Sequence, residues 1–224
     1  MNREEIVKLV SALKNAGQSV TVIPDLCKIA ITDAGQMTAF ESTTVVACYP
    51  RAVRSIFHGL GLKPNRIFDI RNHSSEQILN EMGIVNPVFS PASGDIYLRE
   101  IASLSCNAAT LPENEQEAWH PVIDKERCTE CSKCHDFCLF GVYSVEKGKV
   151  KVTQPQSCKN NCPACARVCP SRAIIFPKYE KSPINGGLHD EEKFDETDTK
   201  ALYNIALKHK LADRRAKVSL LKKS

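Results

Sequence analysis

CTECSKCHDFC (residues 128–138) and CKNNCPACARVCP (158–170) hold eight of the chain's eleven cysteines. Cys128, Cys131, Cys134 and Cys138 follow C-x2-C-x2-C-x3-C, whereas Cys158, Cys162, Cys165 and Cys169 follow C-x3-C-x2-C-x3-C and close on Pro170. The two quartets form an internal repeat. Each is followed by a short apolar run, GVYSV (141–145) and AIIF (173–176), and the first is preceded by VID (122–124). Each half therefore reads as a cysteine-bearing loop, a short helix and a strand. Two such halves are expected to pair their strands across an approximate two-fold.

The spacing also predicts what the thiolates hold. Three cysteines at short intervals can wrap one corner of an iron–sulfur cubane, because the residues between them turn back sharply. The fourth begins a helical turn pointing away and reaches the neighbouring cluster. The expected ligand sets are crossed: Cys128, Cys131, Cys134 and Cys169 for one [4Fe-4S] cluster, and Cys138, Cys158, Cys162 and Cys165 for the other. Tight turns also aim backbone N–H groups at the cluster sulfurs. The alternative is a pair of four-cysteine zinc sites, for which C-x2-C pairs suffice and the x3-C and x3-C-P endings are not needed.

With these motifs in place, residues 120–178 resemble the bacterial-type ferredoxins that hold two [4Fe-4S] clusters, over about a quarter of the chain. Two departures stand out. CKNNC (158–162) carries one extra residue, and Cys138 is followed by Leu139 rather than proline. The extra residue is expected to separate the potentials of the two clusters, with a sign the sequence does not supply. Small diffusing ferredoxins of this type are commonly acidic. Here residues 121–180 carry 10 Lys+Arg against 6 Asp+Glu, which favours a tethered module or a docking face for an acidic partner.

The surrounding composition fits a metal protein of a reducing compartment. The chain has 224 residues, 42% hydrophobic and 25% charged. MNREEIVKLV lacks an apolar signal-peptide core, and no run approaches the roughly 18 apolar residues of a membrane span. A cytoplasmic location is expected, where thiols stay reduced and cysteines more often bind metal than form disulfides. No aromatic-rich basic stripe suggests nucleic acid. Residues 1–120 are acidic, with 13 Asp+Glu to 10 Lys+Arg, and residues 181–224 are basic, with 10 Lys+Arg to 7 Asp+Glu.

Residues 1–105 alternate helical and extended patterns and are expected to form a small α/β domain with a parallel sheet. Ile6, Leu9, Val10 and Leu13 lie on one helix face behind a capping box of Asn2 and Glu5, and Gly17 stops the helix. SVTVI (19–23), TTVVAC (43–48) and RIFDI (66–70) read as strands, the second apolar enough for burial on both faces. A helix after Pro50 buries Val53, Ile56, Phe57 and Leu60, and SSEQILNEM (74–82) gives another, capped by Ser74 or Ser75. Neither a dinucleotide nor a P-loop fingerprint occurs. Residues 106–120 read as a linker whose Trp119 is expected to pack one domain on the other. The two-cluster domain follows at 121–180. SPINGG (182–187) is turn-rich, and residues 181–224 form a charged tail with a basic helix over 198–221.

Cys27, Cys48 and Cys106 lie outside the quartets. Cys48 ends a strand and precedes a helix, where ligands of open α/β sheets bind, and Arg51 and the helix N-terminus favour thiolate. Core packing is the competing reading for all three. Residues 33–72 resemble part of the N-terminal domain of the HdrA subunit of heterodisulfide reductase, through Gly35-Gln36, Cys48, Pro50, Arg51 and Ile70-Arg71-Asn72. That resemblance implies a third cluster or metal near Cys48. Ile31 stands where that family has its second thiol, and Cys27 is the nearest substitute; Tyr49 replaces a small residue, and the family's flavin-binding part has no counterpart.

These features point to an electron-transfer protein relaying single electrons through two clusters, serving a redox partner or a larger reductase complex. No acid/base pair or nucleophile triad designates catalytic residues. The alternative is a reductase component whose first domain binds a substrate, such as a thiol or disulfide, or a further cluster at Cys48. His58, His73 and His120 are isolated and are expected to be structural or surface residues.

Overall fold

Helix α1, Arg3–Asn15, opens the chain in the computed structural model, which describes residues 3–23, 25–84 and 118–187. Cys106 and the 198–221 segment lie outside the described residues. The chain divides into two packed units, Met1–Glu117 and Ala118–Ser224.

In the first unit, α1 buries Leu9, Val10 and Leu13 as their spacing predicts, together with Val7 and Ala12. It ends in a left-handed glycine: Gly17 has φ 73°, and the Gly17 and Gln18 N–H groups return to the Lys14 and Leu13 carbonyls. Helix α2 (Leu26–Thr32) is capped by the Asp25 side chain, which accepts from Lys28 N. A 3-10 turn over Gln36–Phe40 leads to strand β1 (Thr44–Ala47) and helix α3 (Pro50–Gly59). Proline in the first turn of α3 costs no hydrogen bond, since that N–H has no partner within the helix. Val53 and Phe57 are fully buried, each worth about 1.5–3 kcal/mol of apolar burial. Strand β2 (Arg66–Asp69) pairs parallel to β1, Thr44 opposite Arg66 and Ala47 opposite Asp69. Helix α4 (Ser75–Glu81) starts with a full capping box between Ser74 and Gln77. Its Ile78 and Leu79 join Leu9, Ala12, Leu13, Phe68 and Ile70 in one core cluster.

Two expectations change here. Residues 19–23 are irregular rather than a strand. β propensity alone does not hold a strand without a ladder partner, and Val20 is used instead as packing against the core cluster. Strand β1 is only partly covered rather than buried on both faces, because its described sheet has two strands. The expected capping box rests on Asn2, which lies outside the described residues. The Glu5 carboxylate accepts the Ser75 N–H at 2.7 Å and the Ser75 hydroxyl at 2.8 Å, tying α1 to the start of α4.

The second unit is built from strands β3 (Val122–Ile123), β4 (Tyr143–Glu146), β5 (Lys149–Val152) and β6 (Ile174–Ile175) and helices α5 (Lys133–Phe137) and α6 (Ala164–Arg167). Strand β3 pairs antiparallel with β6, Val122 opposite Ile175, while β4 and β5 form a hairpin with Tyr143 opposite Val152. Strands β3 and β4 flank the first quartet, and β5 and β6 flank the second. Each two-stranded sheet thus takes one strand from each half. β5 went unread in the sequence, since KVKV alternates lysine with valine and carries no continuous apolar run.

Trp119, expected to pack one domain on the other, lies instead in the core of this unit. Its ring stacks on Phe176 at 5.2 Å and meets Tyr179 edge-on at 6.4 Å. The SPINGG stretch does turn, and it also packs. Ile184 joins the same core, and its carbonyl accepts from Phe176 N at 2.7 Å. Packed structure therefore continues past residue 180.

Candidate metal centre

The cysteine loops repeat in backbone conformation as well as in sequence. Glu130 and Asn161, each just before the second cysteine of its quartet, are both left-handed, at φ 53° and 57°. Gly141 and Arg172, each three residues after the fourth cysteine, are left-handed too, at 67° and 50°. Left-handed backbone is uncommon outside glycine and asparagine, so its recurrence at matched positions aligns the halves residue by residue. The extra residue in the second loop is absorbed in a tight turn, closed by Cys162 N donating to the Lys159 carbonyl at 3.2 Å.

Helices α5 and α6 carry the third cysteines inward. Cys134, Cys165 and Cys169 are buried, Cys128, Cys138, Cys158 and Cys162 are partly covered, and Cys131 is exposed. Burial pushes the Cys134 thiol up to about 12, reinforced by the nearby Cys169, Cys128 and Cys131. Cys158 is likewise pushed up to about 12 by burial, then by Cys162 and Cys138. Cys165 is raised further still, mainly by burial and then by Cys158, Cys138 and Cys134, against the opposing hydrogen bond from Tyr143. Cys128 is raised by burial, with Glu130 and Cys169 adding to it.

These influences cross between the quartets: Cys169 acts on Cys128 and Cys134, Cys138 acts on Cys158 and Cys165, and Cys134 acts on Cys165 as well. Among the described residues, no three His, Cys, Asp or Glu side chains draw close enough to hold a single metal ion.

Hydrogen bonds brace the thiols. Ala173 N donates to Cys169 Sγ at 3.3 Å, and the Tyr143 hydroxyl donates to Cys165 Sγ at 3.0 Å. Glu130 fastens the first loop to β5 by accepting from Val150 N at 2.6 Å, while Lys125 Nζ donates to the Val150 carbonyl at 3.0 Å. Side chains thus occupy both backbone groups of Val150.

Arg71 acts electrostatically on Cys48 in the first unit, where β1 and β2 run parallel and end side by side. Burial raises the Cys48 thiol, and the facing Arg71 only partly offsets it. The expectation of a thiolate favoured by Arg51 and the helix N-terminus is thereby reversed: desolvation outweighs the charge, and Arg71 is the cation that counts. Asp69 organises the corner, accepting from Arg71 N at 2.8 Å and Asn72 Nδ2 at 2.6 Å, while the Arg71 guanidinium lies 5.3 Å from the Tyr49 ring centre. Cys27 is buried within α2. A cavity of about 410 Å³ opens elsewhere, lined by Arg54, His58, Lys63 and Arg66 among others, and Cys48 does not line it. His73 Nδ1 sits 3.1 Å from the Asp69 carbonyl, and His120 is buried.

No protein-family model matches the chain. An uncharacterized ferredoxin of Methanocaldococcus jannaschii is 52% identical over 67 residues, 30% of this chain and 45% of that relative, so the chain spans under half of that protein's length. A second uncharacterized ferredoxin of the same organism is 35% identical over 58 residues, a quarter of this chain and 74% of the relative. The chain belongs to the ferredoxin family. The pyruvate synthase subunit PorD of the same organism is 31% identical over 85 residues, 36% of this chain and 96% of the relative. As a ferredoxin, the chain binds iron–sulfur clusters of the [4Fe-4S] type and works in electron transport. The donor set suits that group: eight soft thiols in one unit, with N–H and O–H donors on two of the sulfurs. Among the described residues no helix is long and apolar enough to cross a membrane.

The sequence reading missed two residues of this site. Tyr143 is apolar packing by its pattern, and only the fold brings its hydroxyl to a cysteine 22 residues away. Glu130 reads as a surface acid until β5 is placed beside it.

Proposed function

We propose that residues 121–180 form a two-cluster electron-transfer module with crossed ligation: Cys128, Cys131, Cys134 and Cys169 hold one [4Fe-4S] cluster, and Cys138, Cys158, Cys162 and Cys165 hold the other. The observation that supports this reading is the reach across the quartets, in which Cys169 acts on Cys128 and Cys134 and Cys138 acts on Cys158 and Cys165. When bound, the two clusters accept and release single electrons. The chain's own residues give shape and protection to that chemistry. Burial of Cys134, Cys165 and Cys169 excludes water, and the Ala173 N–H supports a ligand sulfur.

The module serves a redox partner, in the cytoplasm, as part of a larger assembly. The likeness to a protein named as a pyruvate synthase subunit supports its place in a complex, and the basic balance of residues 121–180 supports docking to an acidic surface. Residues 1–105 act as the docking or redox domain. Iron and sulfide per chain test the assignment on anaerobically purified protein: about eight of each is expected, and zinc in their place rejects it.

The electrostatic action of Arg71 on Cys48 favours a second reading for the first unit, in line with its resemblance to the HdrA subunit of heterodisulfide reductase. There Cys48, with Cys27 as a candidate companion, holds a third cluster or metal, or meets a thiol or disulfide substrate. About twelve iron atoms per chain would support the third cluster.

A further inference from the structure

From the second cysteine of each quartet onward the two halves keep the same spacing, and Glu130 with Asn161 and Gly141 with Arg172 are left-handed at matched positions, so positions can be compared across the repeat. Five residues after Cys138 stands Tyr143; five residues after Cys169 stands Ile174. Both are buried and both begin a strand, β4 and β6. Only Tyr143 carries a donor, and it uses it across the repeat, on the Sγ of Cys165 at 3.0 Å. The counterpart of Cys165 is Cys134, and Ile174 has no hydroxyl to offer it. The repeat is therefore broken at one buried side chain, which touches a sulfur of one ligand set alone.

We propose that Tyr143 is a positioning residue that acts through Cys165 to raise the reduction potential of the cluster held by Cys138, Cys158, Cys162 and Cys165. The inference rests on the two-cluster reading above. Reduction adds a negative charge to a cluster and its thiolates, and a hydrogen bond to a ligand sulfur is stronger when that sulfur bears more charge. The site is dry, so the gain is not shared with water: Tyr143 and Cys165 are 5% and 7% exposed. The other set has no such side chain at the matched position. Tyr143 thus acts on its own side, whereas the other set has the Ala173 N–H on the Sγ of Cys169.

The test is an EPR-monitored dithionite titration of the full holoprotein, unaltered and with Tyr143→Phe, with iron measured on the same samples. Phenylalanine keeps the ring and removes the donor. The expected result is about eight iron in both proteins and one of two potentials lowered by about tenfold in the reduction equilibrium, which is 59 mV for one electron. The iron–thiolate stretching bands in resonance Raman spectra should shift with it, and the second potential should stay in place. Full iron with both potentials and the Raman bands unmoved overturns the inference and leaves the two-cluster reading standing. Iron lost from the variant alone overturns it too, making Tyr143 a packing residue. Only about four iron, or zinc, in the unaltered protein is the failure of the two-cluster reading itself, and the inference falls with it.

Discussion

Cys134 lies within electrostatic reach of Cys169, 35 residues further on and in the opposite quartet. The cysteine that closes the second motif thus acts on Cys128 and Cys134 of the first.

That relationship is open to a pairwise test. Cys134→Ala and Cys169→Ala should each lower iron from about eight to about four per chain, and the double variant should stay at about four, because both remove the same cluster. Cys134→Ala combined with Cys165→Ala should leave close to none. If Cys134→Ala with Cys169→Ala also empties the protein, the crossed sets are wrong.

Glu130 bears on how firmly the first loop is held. Its carboxylate accepts from Val150 N, an interaction of the charge-assisted kind. Glu130→Gln should weaken the unit by about 1–2 kcal/mol. Cluster loss on heating is a rate rather than an equilibrium, so the measurement is the half-life of the visible iron–sulfur absorbance. It should shorten by up to about tenfold, since 1.4 kcal/mol corresponds to a factor of ten.

The Glu5–Ser75 contact makes the first unit acid-sensitive. The Ser75 N–H and hydroxyl hold the Glu5 carboxyl below its ordinary value. A depressed folded-state value stabilises the fold above the ordinary carboxylate range and loses that contribution as pH falls through the folded value. Glu5→Gln should therefore lower the unfolding midpoint of the first unit at pH 7, while at pH 3 its difference from the unaltered protein should shrink. An equal difference at both pH values would count against the contact.

Cys48 should react slowly. Burial keeps its thiol protonated past the usual cysteine range, so iodoacetamide labelling of the holoprotein, mapped by mass spectrometry, should be slower at Cys48 than for a free thiol at pH 8. The rate should climb as pH rises beyond that range. Arg71→Gln should slow it further by removing the cation that favours the charged form. Fast labelling at neutral pH would indicate an activated thiol.

The local regularities were written in the chain. The stripe of α1, the Pro50 start of α3, the Ser74 cap of α4 and the two quartets depend on neighbours within a few residues, and periodicity exposes them. The parallel β1–β2 pair was readable for the same reason, each run being short, apolar and separated by a helix pattern. Residues 19–23 misled because a strand is decided by a partner the segment itself does not contain. Trp119 misled because a linker-like composition concealed a place in the core beside Phe176.

By itself the sequence determined the chemistry of this ferredoxin: thiols at fixed short intervals dictate loops that present sulfur to soft metal clusters. Tertiary structure alone decided that Glu130 clasps Val150, that burial outweighs charge at Cys48, and that the Tyr143 hydroxyl reaches Cys165. Ligand spacing is a covalent, local property of the chain. Desolvation and hydrogen bonding between residues tens of positions apart exist only once packing has closed the distance between them.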